Sequence, residues 1–258
     1  STLMRSSAAS DVYKRQVWIW YYREIKMAYF PMFVDMTERE CLIVGGGNVA
    51  YRKVIVMLDF GAKVTVVAED ICDELRKLTI DDIASEDKKG SYTANKENNQ
   101  TDPDAANKEN NQPDSDAADR ITIIKRRFDR KDCDGMEMVI AATDDNALNH
   151  EIAEYCKANG IMVNAVDQKA DCSFIFPSYI KEKNLVAAFS SGGNSPVLTQ
   201  YLKGKEQEIL TPFLGELNEY MGQIREKVIA QYDTQAERKR VFKEILCAAI
   251  DNGRIPEI

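Results

Sequence analysis

Apolar residues in this chain fall into short runs and helical stripes that alternate from residue 40 to residue 166. Glu40–Val44 is a compact apolar run ending in three glycines, as a buried parallel strand does. From Asn48 to Phe60 the apolar positions Val49, Val54, Val56, Met57 and Phe60 recur at helical spacing, and Gly61 stops the helix. Val64–Ala68 is a second, β-branched strand, and Ile71–Leu78 predicts a short helix. Ile121–Ile124 and Met138–Ala142 read as the third and fourth strands. A helix over Asn146–Asn159, with Leu148, Ile152, Ala153 and Cys156 inward, leads to a fifth strand at Met162–Val166. Alternation of this kind predicts an α/β fold, a parallel sheet with helices on both faces.

After Asp167 the pattern changes. Ser173–Phe176 and Leu185–Phe189 are strand-like, and Lys181–Asn184 between them suggests a hairpin turn. From Pro196 the chain reads as helical to its end. Leu210, Phe213, Leu214, Leu217, Met221, Ile224 and Val228 form one apolar stripe. Thr234 and Glu237 have capping-box spacing for a last helix that ends near Gly253. Domain bounds follow: a parallel α/β domain over 27–172, interrupted by residues 81–119, a hairpin segment over 173–208 and a helical domain over 209–258.

Two stretches stand outside this pattern. Residues 81–119 contain almost no large apolar side chains and repeat Ala94-Asn-Lys-Glu-Asn-Asn-Gln100 at Ala106–Gln112. Such a segment cannot bury enough surface to offset ordering entropy, so it reads as a disordered insertion. Residues 1–26 are read as a non-native leader, with Met27 as the start. Asp11–Gln16 is one translation of a transposase end sequence used in sequencing libraries, and the stretch before it has no apolar face.

Composition narrows the function classes. Net charge is -8 at pH 7, but residues 81–119 alone hold 11 acids against 4 lysines. The acidity therefore says little about partners of the folded part. Nucleic acid is disfavoured, because no basic cluster with interleaved aromatics occurs. No apolar run reaches the roughly 20 residues of a membrane span. Six cysteines without a CxxC pair read as buried thiols of a reducing, cytoplasmic compartment. One histidine, His150, makes a His-rich metal site impossible and a Ser-His-Asp triad improbable, and no stored metal is expected.

The chemistry-bearing motif is Gly45-Gly-Gly-Asn-Val-Ala50, which fits G-x-G-x-x-A between a strand and a helix. Gly45 allows the tight turn, Gly47 a close approach of a pyrophosphate, and Ala50 close helix–strand contact. Phosphates would rest on the helix N-terminus, whose N–H groups and dipole favour anions. Glu69 lies 22 residues beyond Gly47, where an acid accepts bonds from the adenosine ribose and repels a 2′-phosphate. That predicts NAD over NADP. Asp167 stands at the carboxyl end of the fifth strand, and Asp144 and Asp145 follow the fourth. Position alone leaves each open as a turn acid or a ligand contact. Ser190-Ser-Gly-Gly-Asn-Ser-Pro196 is a second glycine-rich loop, with Ser195 as a natural N-cap and Pro196 suited to the first turn. It reads either as a capped turn or as a receptor for ligand carboxylates.

Together these residues resemble the precorrin-2 dehydrogenase / sirohydrochlorin ferrochelatase family, the N-terminal module of siroheme synthases. The similar stretches are Cys41–Ala50, Ala141–Asp145, Asn164–Asp167, Ser173–Ser178 and Ser190–Leu198, in that order. The resemblance implies a Rossmann-type sheet, a hairpin-containing dimerisation segment and a helical domain, working as a homodimer. It implies oxidation of precorrin-2 to sirohydrochlorin with NAD as cofactor, and in some members Fe2+ insertion to siroheme. Asp167 falls on the family's essential aspartate. Gly45, Gly46, Gly47, Asn48, Val49, Glu69 and Asp70 fall on its NAD contacts, with Thr143 and Asp144 beside them. Ser190 and Ser191 match the substrate loop. Eight substrate carboxylates call for cations, for which Arg52, Lys53, Lys169 and Lys203 are available. The chain departs in its insertion and leader, and methylation of uroporphyrinogen is not expected of it. Two rival readings are a non-catalytic NAD-sensing module and a dehydrogenase for another small substrate.

Overall fold

The computed structural model describes residues 29–78 and 118–256. The expected leader, and the insertion apart from Ala118 and Asp119, lie outside the described residues. Residues 29–35 carry neither helix nor strand, and the chain from Met36 onward belongs to one compact unit.

Five strands form a parallel sheet: β1 (Glu40–Val44), β2 (Lys63–Ala68), β3 (Ile121–Lys125), β4 (Met138–Ala141) and β5 (Met162–Ala165). Their spatial order is β3-β2-β1-β4-β5. Helix α1 (Asn48–Asp59) joins β1 to β2, the short α2 (Asp73–Lys77) follows β2, and α3 (Asn146–Ala158) joins β4 to β5. Succession runs one way from β1 to β3 and the other way from β4 to β5. Right-handed crossovers therefore put α1 and α3 on opposite faces. β1 is buried on both faces, so it reads as a continuous apolar run. Leu42 and Val44 pack with Val139, Ala141, Ile152, Ala153, Cys156, Val163 and Ala165 in the core under α3. The order of the strands reverses between β1 and β4, and a crevice outside their carboxyl ends is where such sheets bind ligands.

Beyond β5 an antiparallel hairpin pairs β6 (Ser178–Glu182) with β7 (Leu185–Phe189). This corrects the expected first strand. Ser173–Phe176 is not a strand, and the pairing begins only after Pro177, whose ring removes a ladder donor. Ser173 instead bonds to Val163 beside β5, donating its N–H to the carbonyl at 2.8 Å. Lys181 and Glu182, expected in the turn, belong to the ladder, leaving Lys183 and Asn184 as the turn. The Lys181 ammonium is satisfied by Asp59 on α1, at 2.6 Å to its carbonyl and 2.7 Å to its carboxylate.

The helical part comprises α4 (Pro196–Gln207), α5 (Pro212–Gln223), α6 (Arg225–Gln231) and α7 (Gln235–Asn252). The apolar stripe from Leu210 to Val228 is thus divided between α5 and α6, with Leu217, Ile224 and Val228 buried. The capping box at Thr234 and Glu237 is present, and Gly253 ends α7 in the left-handed conformation. Among the described residues no helix is long and apolar enough to cross a membrane.

Candidate functional site

The three glycines after β1 do different work. Gly45 has φ 123, and a Cβ there would stand 2.2 Å from the Ala142 carbonyl oxygen. At Gly46 a Cβ would stand 1.9 Å from the carbonyl oxygen of Asp70. Those two positions are closed by protein on either side of the turn. A Cβ at Gly47 would meet nothing within 4 Å. Gly47 is also the N-cap of α1, which has no side-chain cap and no acid in its first turn. The leading N–H groups, those of Asn48 and Val49 among them, therefore have no side-chain acceptor at the positive end of the helix. A pyrophosphate fits this arrangement, because it needs room, donors and positive potential together.

The loops on both sides are fixed against this turn. After β2, the Cys72 N–H donates to the Gly46 carbonyl at 2.8 Å, which sets the stretch carrying the exposed Glu69 and Asp70. Glu69 accepts from Arg127 Nε at 3.0 Å. After β4, the buried Asn149 amide donates to the Thr143 carbonyl at 2.9 Å. Its Oδ1 accepts from the Thr143 N–H at 3.2 Å and the Thr143 hydroxyl at 2.7 Å. Asp145 caps α3, accepting from the Ala147 and Leu148 N–H groups at 2.9 and 3.2 Å. Asp144 between them is exposed.

Asp167 sits just beyond β5 with φ 61, a left-handed backbone that few residues other than glycine tolerate. The turn is held by the Val166 N–H on Ala141 and the Gln168 N–H on Ala165. The Gln168 side chain adds a bond to the Asn146 carbonyl at 2.9 Å. The Asp167 carboxylate is exposed, and no hydrogen bond or ion pair involves it among the described residues. It caps no helix among the described residues, and aspartate is itself one of the few side chains enriched in this conformation.

Two residues on, Lys169 donates to the Gly192 carbonyl and so ties the serine loop to the Asp167 turn. In that loop Gly192 and Gly193 both have positive φ. Ser190 Oγ accepts from the Gly192 N–H at 3.1 Å, Ser191 Oγ from the Ser195 N–H at 2.9 Å, and Ser195 caps α4. A hydroxyl that accepts from its own loop keeps its proton for an outside acceptor. The Ser190 and Ser191 hydroxyl protons are therefore left for an acceptor outside the loop. Of the four cations expected for substrate, Arg52 is half-buried on α1 and Lys169 is exposed. Lys53 and Lys203 are each only 6% exposed, so these two do not line an open cleft. The Lys53 ammonium lies 3.9 Å from the centre of the Phe176 ring.

His150 is exposed and pairs with Asp171 through Nδ1 at 2.9 Å. With Glu154 these groups place ligand-type atoms within 4.8 Å of one another. Lys157 already supplies a cation there, 3.3 Å from Glu154 and 3.6 Å from Asp171. The cluster thus staples the segment after Asp167 to α3. All six cysteines are unbridged. Burial pushes the Cys41 thiol up to about 12, and a hydrogen bond with Cys156 together with burial raises that of Cys133. Neither is a nucleophile at neutral pH. Contrary to expectation, Cys247 is exposed. An open cleft of about 1000 Å³, lined in part by Asn184, Asn218, Arg225 and Phe242, lies at the hairpin turn and belongs to the helical part.

The structure thus gathers Gly45–Val49, Glu69, Asp70, Thr143 and Asp144 at the carboxyl ends of β1, β2 and β4, which are adjacent strands. Asp167 lies at the end of β5, and Ser190 and Ser191 join it through Lys169. Sequence reasoning missed two residues. Asn149 is the polar member of the buried set Asn149, Ile152, Ala153 and Cys156 on α3, and that helical spacing was the available signal. Arg127 closes the basic run Lys125-Arg-Arg127, but its partner Glu69 is too distant in sequence to be guessed.

Residues 32–178 match a family model described as putative NAD(P)-binding. The siroheme synthase of Nitrosospira multiformis is 34% identical over 220 residues, which cover 85% of this chain and 40% of that protein. A siroheme synthase of Escherichia coli is 34% identical over 219 residues with the same two shares. The chain therefore spans 40% of the length of these relatives. Among solved structures, SirC, a precorrin-2 dehydrogenase, superposes with TM-score 0.59 and 19% identity, covering 84% of this chain and 89% of its own. That likeness extends the agreement in fold to the hairpin and helices.

Proposed function

Because the chain belongs to the putative NAD(P)-binding family that its residues 32–178 match and resembles siroheme synthases over 85% of its length, we propose that it is a precorrin-2 dehydrogenase, oxidising precorrin-2 to sirohydrochlorin with NAD+. The overall change removes two hydrogens, one as hydride and one as a proton. The bound dinucleotide supplies the hydride acceptor. Everything else falls to the chain's own side chains.

The open N-terminus of α1 holds the pyrophosphate, and the Glu69 carboxylate accepts the adenosine ribose hydroxyls. The β4–α3 loop, braced by Asn149, supports the other half of the cofactor through Thr143 and Asp144. Ser190 and Ser191 donate to substrate carboxylates, and Arg52 and Lys169 add positive charge. Asp167 takes the proton. The observation that carries this reading is its exposed, unbonded carboxylate on a left-handed backbone at the end of β5. Local strain of this kind persists where function requires it. A purely NAD-sensing module would have no use for it. Insertion of Fe2+, which needs two pyrrole N–H protons removed, would draw on the same carboxylate, with iron as substrate. A homodimer suits the exposed Val197, Leu198, Tyr201 and Leu202 along α4. Unbridged thiols suit the cytoplasm.

The test is anaerobic incubation of the Asp167→Asn variant with precorrin-2 and NAD+. General-base catalysis contributes about 10²–10⁴-fold, so turnover should fall by that order while NAD+ affinity and molecular mass stay as they were. Sirohydrochlorin formation at near the unsubstituted rate would remove Asp167 from the chemistry.

A further inference from the structure

A carboxylate at the ribose corner is expected to reject a 2′-phosphate, but in this chain that carboxylate does not stand alone. Parallel pairing sets Ala68 opposite Lys125, and the Arg126 N–H donates to the Ala68 carbonyl at 3.1 Å. The register brings the residue after β2 beside the residues leaving β3, and Arg127 Nε meets Glu69 Oε1 at 3.0 Å. The Glu69 end of this pair is anchored to the glycine turn through the Cys72–Gly46 bond. Opposite charges therefore share the position where the adenosine ribose of a dinucleotide on α1 would lie.

The two arginines here are not equivalent. Arg126 commits its fork to both carboxylate oxygens of Asp132, at 2.8 and 2.5 Å, and the pairing holds the Asp132 carboxyl below the usual carboxylate range. Arg127 engages Glu69 through Nε, and 85% of its side chain is exposed. A guanidinium has five N–H donors in a planar fork that suits phosphate oxygens. Exposed ion pairs are weak, so the Arg127–Glu69 contact is readily shared with a ligand.

We propose that Arg127 receives a 2′-phosphate on the adenosine ribose, so that this chain binds NADP+ as well as NAD+. This rests on the nicotinamide-cofactor reading above and extends it. With NAD+, Glu69 accepts the 2′- and 3′-hydroxyls while Arg127 orients its carboxylate. With NADP+, Arg127 bridges the carboxylate and the phosphate, cancelling the repulsion that Glu69 alone would exert.

Calorimetric titration of the full chain with each cofactor tests the idea without recourse to turnover. The NADP+ and NAD+ dissociation constants should lie within about thirtyfold of each other, and Arg127→Ala should widen that gap by more than about fivefold, chiefly by weakening NADP+. Arg127→Lys should fall between the two, because it keeps charge but loses the fork. A native gap wider than thirtyfold, or a ratio that Arg127→Ala leaves within fivefold, overturns the proposal and leaves the NAD+ reading intact. Failure to bind either cofactor overturns both.

Discussion

Two strand-to-helix turns lie side by side at the carboxyl edge of the sheet, and they finish their helices in opposite ways. The turn from β1 to α1 is built of glycine, with no side chain capping the helix and no acid in its first turn. The turn from β4 to α3 is built of Thr143, Asp144 and Asp145, and the Asp145 carboxylate occupies the helix N-terminus. Asn149 then locks the turn from beneath with three hydrogen bonds. The two strands are neighbours, with Val44 opposite Ala141. Each helix start carries about half a positive charge from its aligned peptides. At α3 the chain neutralises that charge with its own side chain. At α1 it leaves the charge and the donors for something from outside. A binding site is in this sense a capping requirement passed to the ligand.

The sharpest way to break the contrast is to give α1 the cap that α3 has. Gly47→Asp fits the backbone, which has φ -82 and ψ -176, and meets open space. In the binding mode proposed above it sets a carboxylate against the cofactor phosphates, so cofactor affinity should drop at least about 100-fold, equivalent to about 2.7 kcal/mol. Stability should meanwhile rise by about a few tenths of a kcal/mol, since Asp caps slightly better than Gly. Titration and thermal melts of one sample separate the two effects, and undiminished affinity would mean that the phosphates sit elsewhere. Next in size is Asn149→Ala, which strips a buried residue and leaves the Thr143 N–H and carbonyl without their partner, while the Thr143 hydroxyl keeps its contacts with the Asp145 backbone. The cost should be about 2 kcal/mol, measured by urea unfolding. A loss below about 0.5 kcal/mol would show that water replaces the amide. The smallest effect is expected of Asp145→Ala, at about 1 kcal/mol for a lost N-cap. Its cofactor affinity should hold within about threefold, because the Thr143 brace survives. A larger fall would mean that this turn also serves the ligand directly.

The contrast between the turns explains what could be read from the sequence. Glycines at 45 and 47 are visible because a backbone with φ 123, or one that must face a ligand, permits little else. The strands of the parallel sheet are visible because burial on both faces forces apolar runs. The capping boxes and N-caps at Ser195 and Thr234 are visible because they act within four residues. Features that depend on distant partners are not. Lys181 reads as a turn residue until Asp59, 122 positions away, accepts its protons. Arg127 reads as one more solvated base until the register of β2 and β3 sets it against Glu69. Ser173–Phe176 has the composition of a strand, yet it packs by ring contact between Phe174 and Phe176, with centres 5.3 Å apart.

The left-handed backbone at Asp167 has a consequence for anyone breeding a hardier form of this protein. A non-glycine residue at φ 61 holds a conformation that glycine adopts without penalty, a difference of about 1 kcal/mol. The exposed carboxylate gives back no bond within the described residues to offset it. Heat resistance selected blindly would therefore favour Asp167→Gly, and under the proton-accepting role proposed for Asp167 the population would gain in endurance as it lost that chemistry. If Asp167 takes the proton, robustness and usefulness pull in opposite directions at this position, and only a selection that demands both would keep the aspartate.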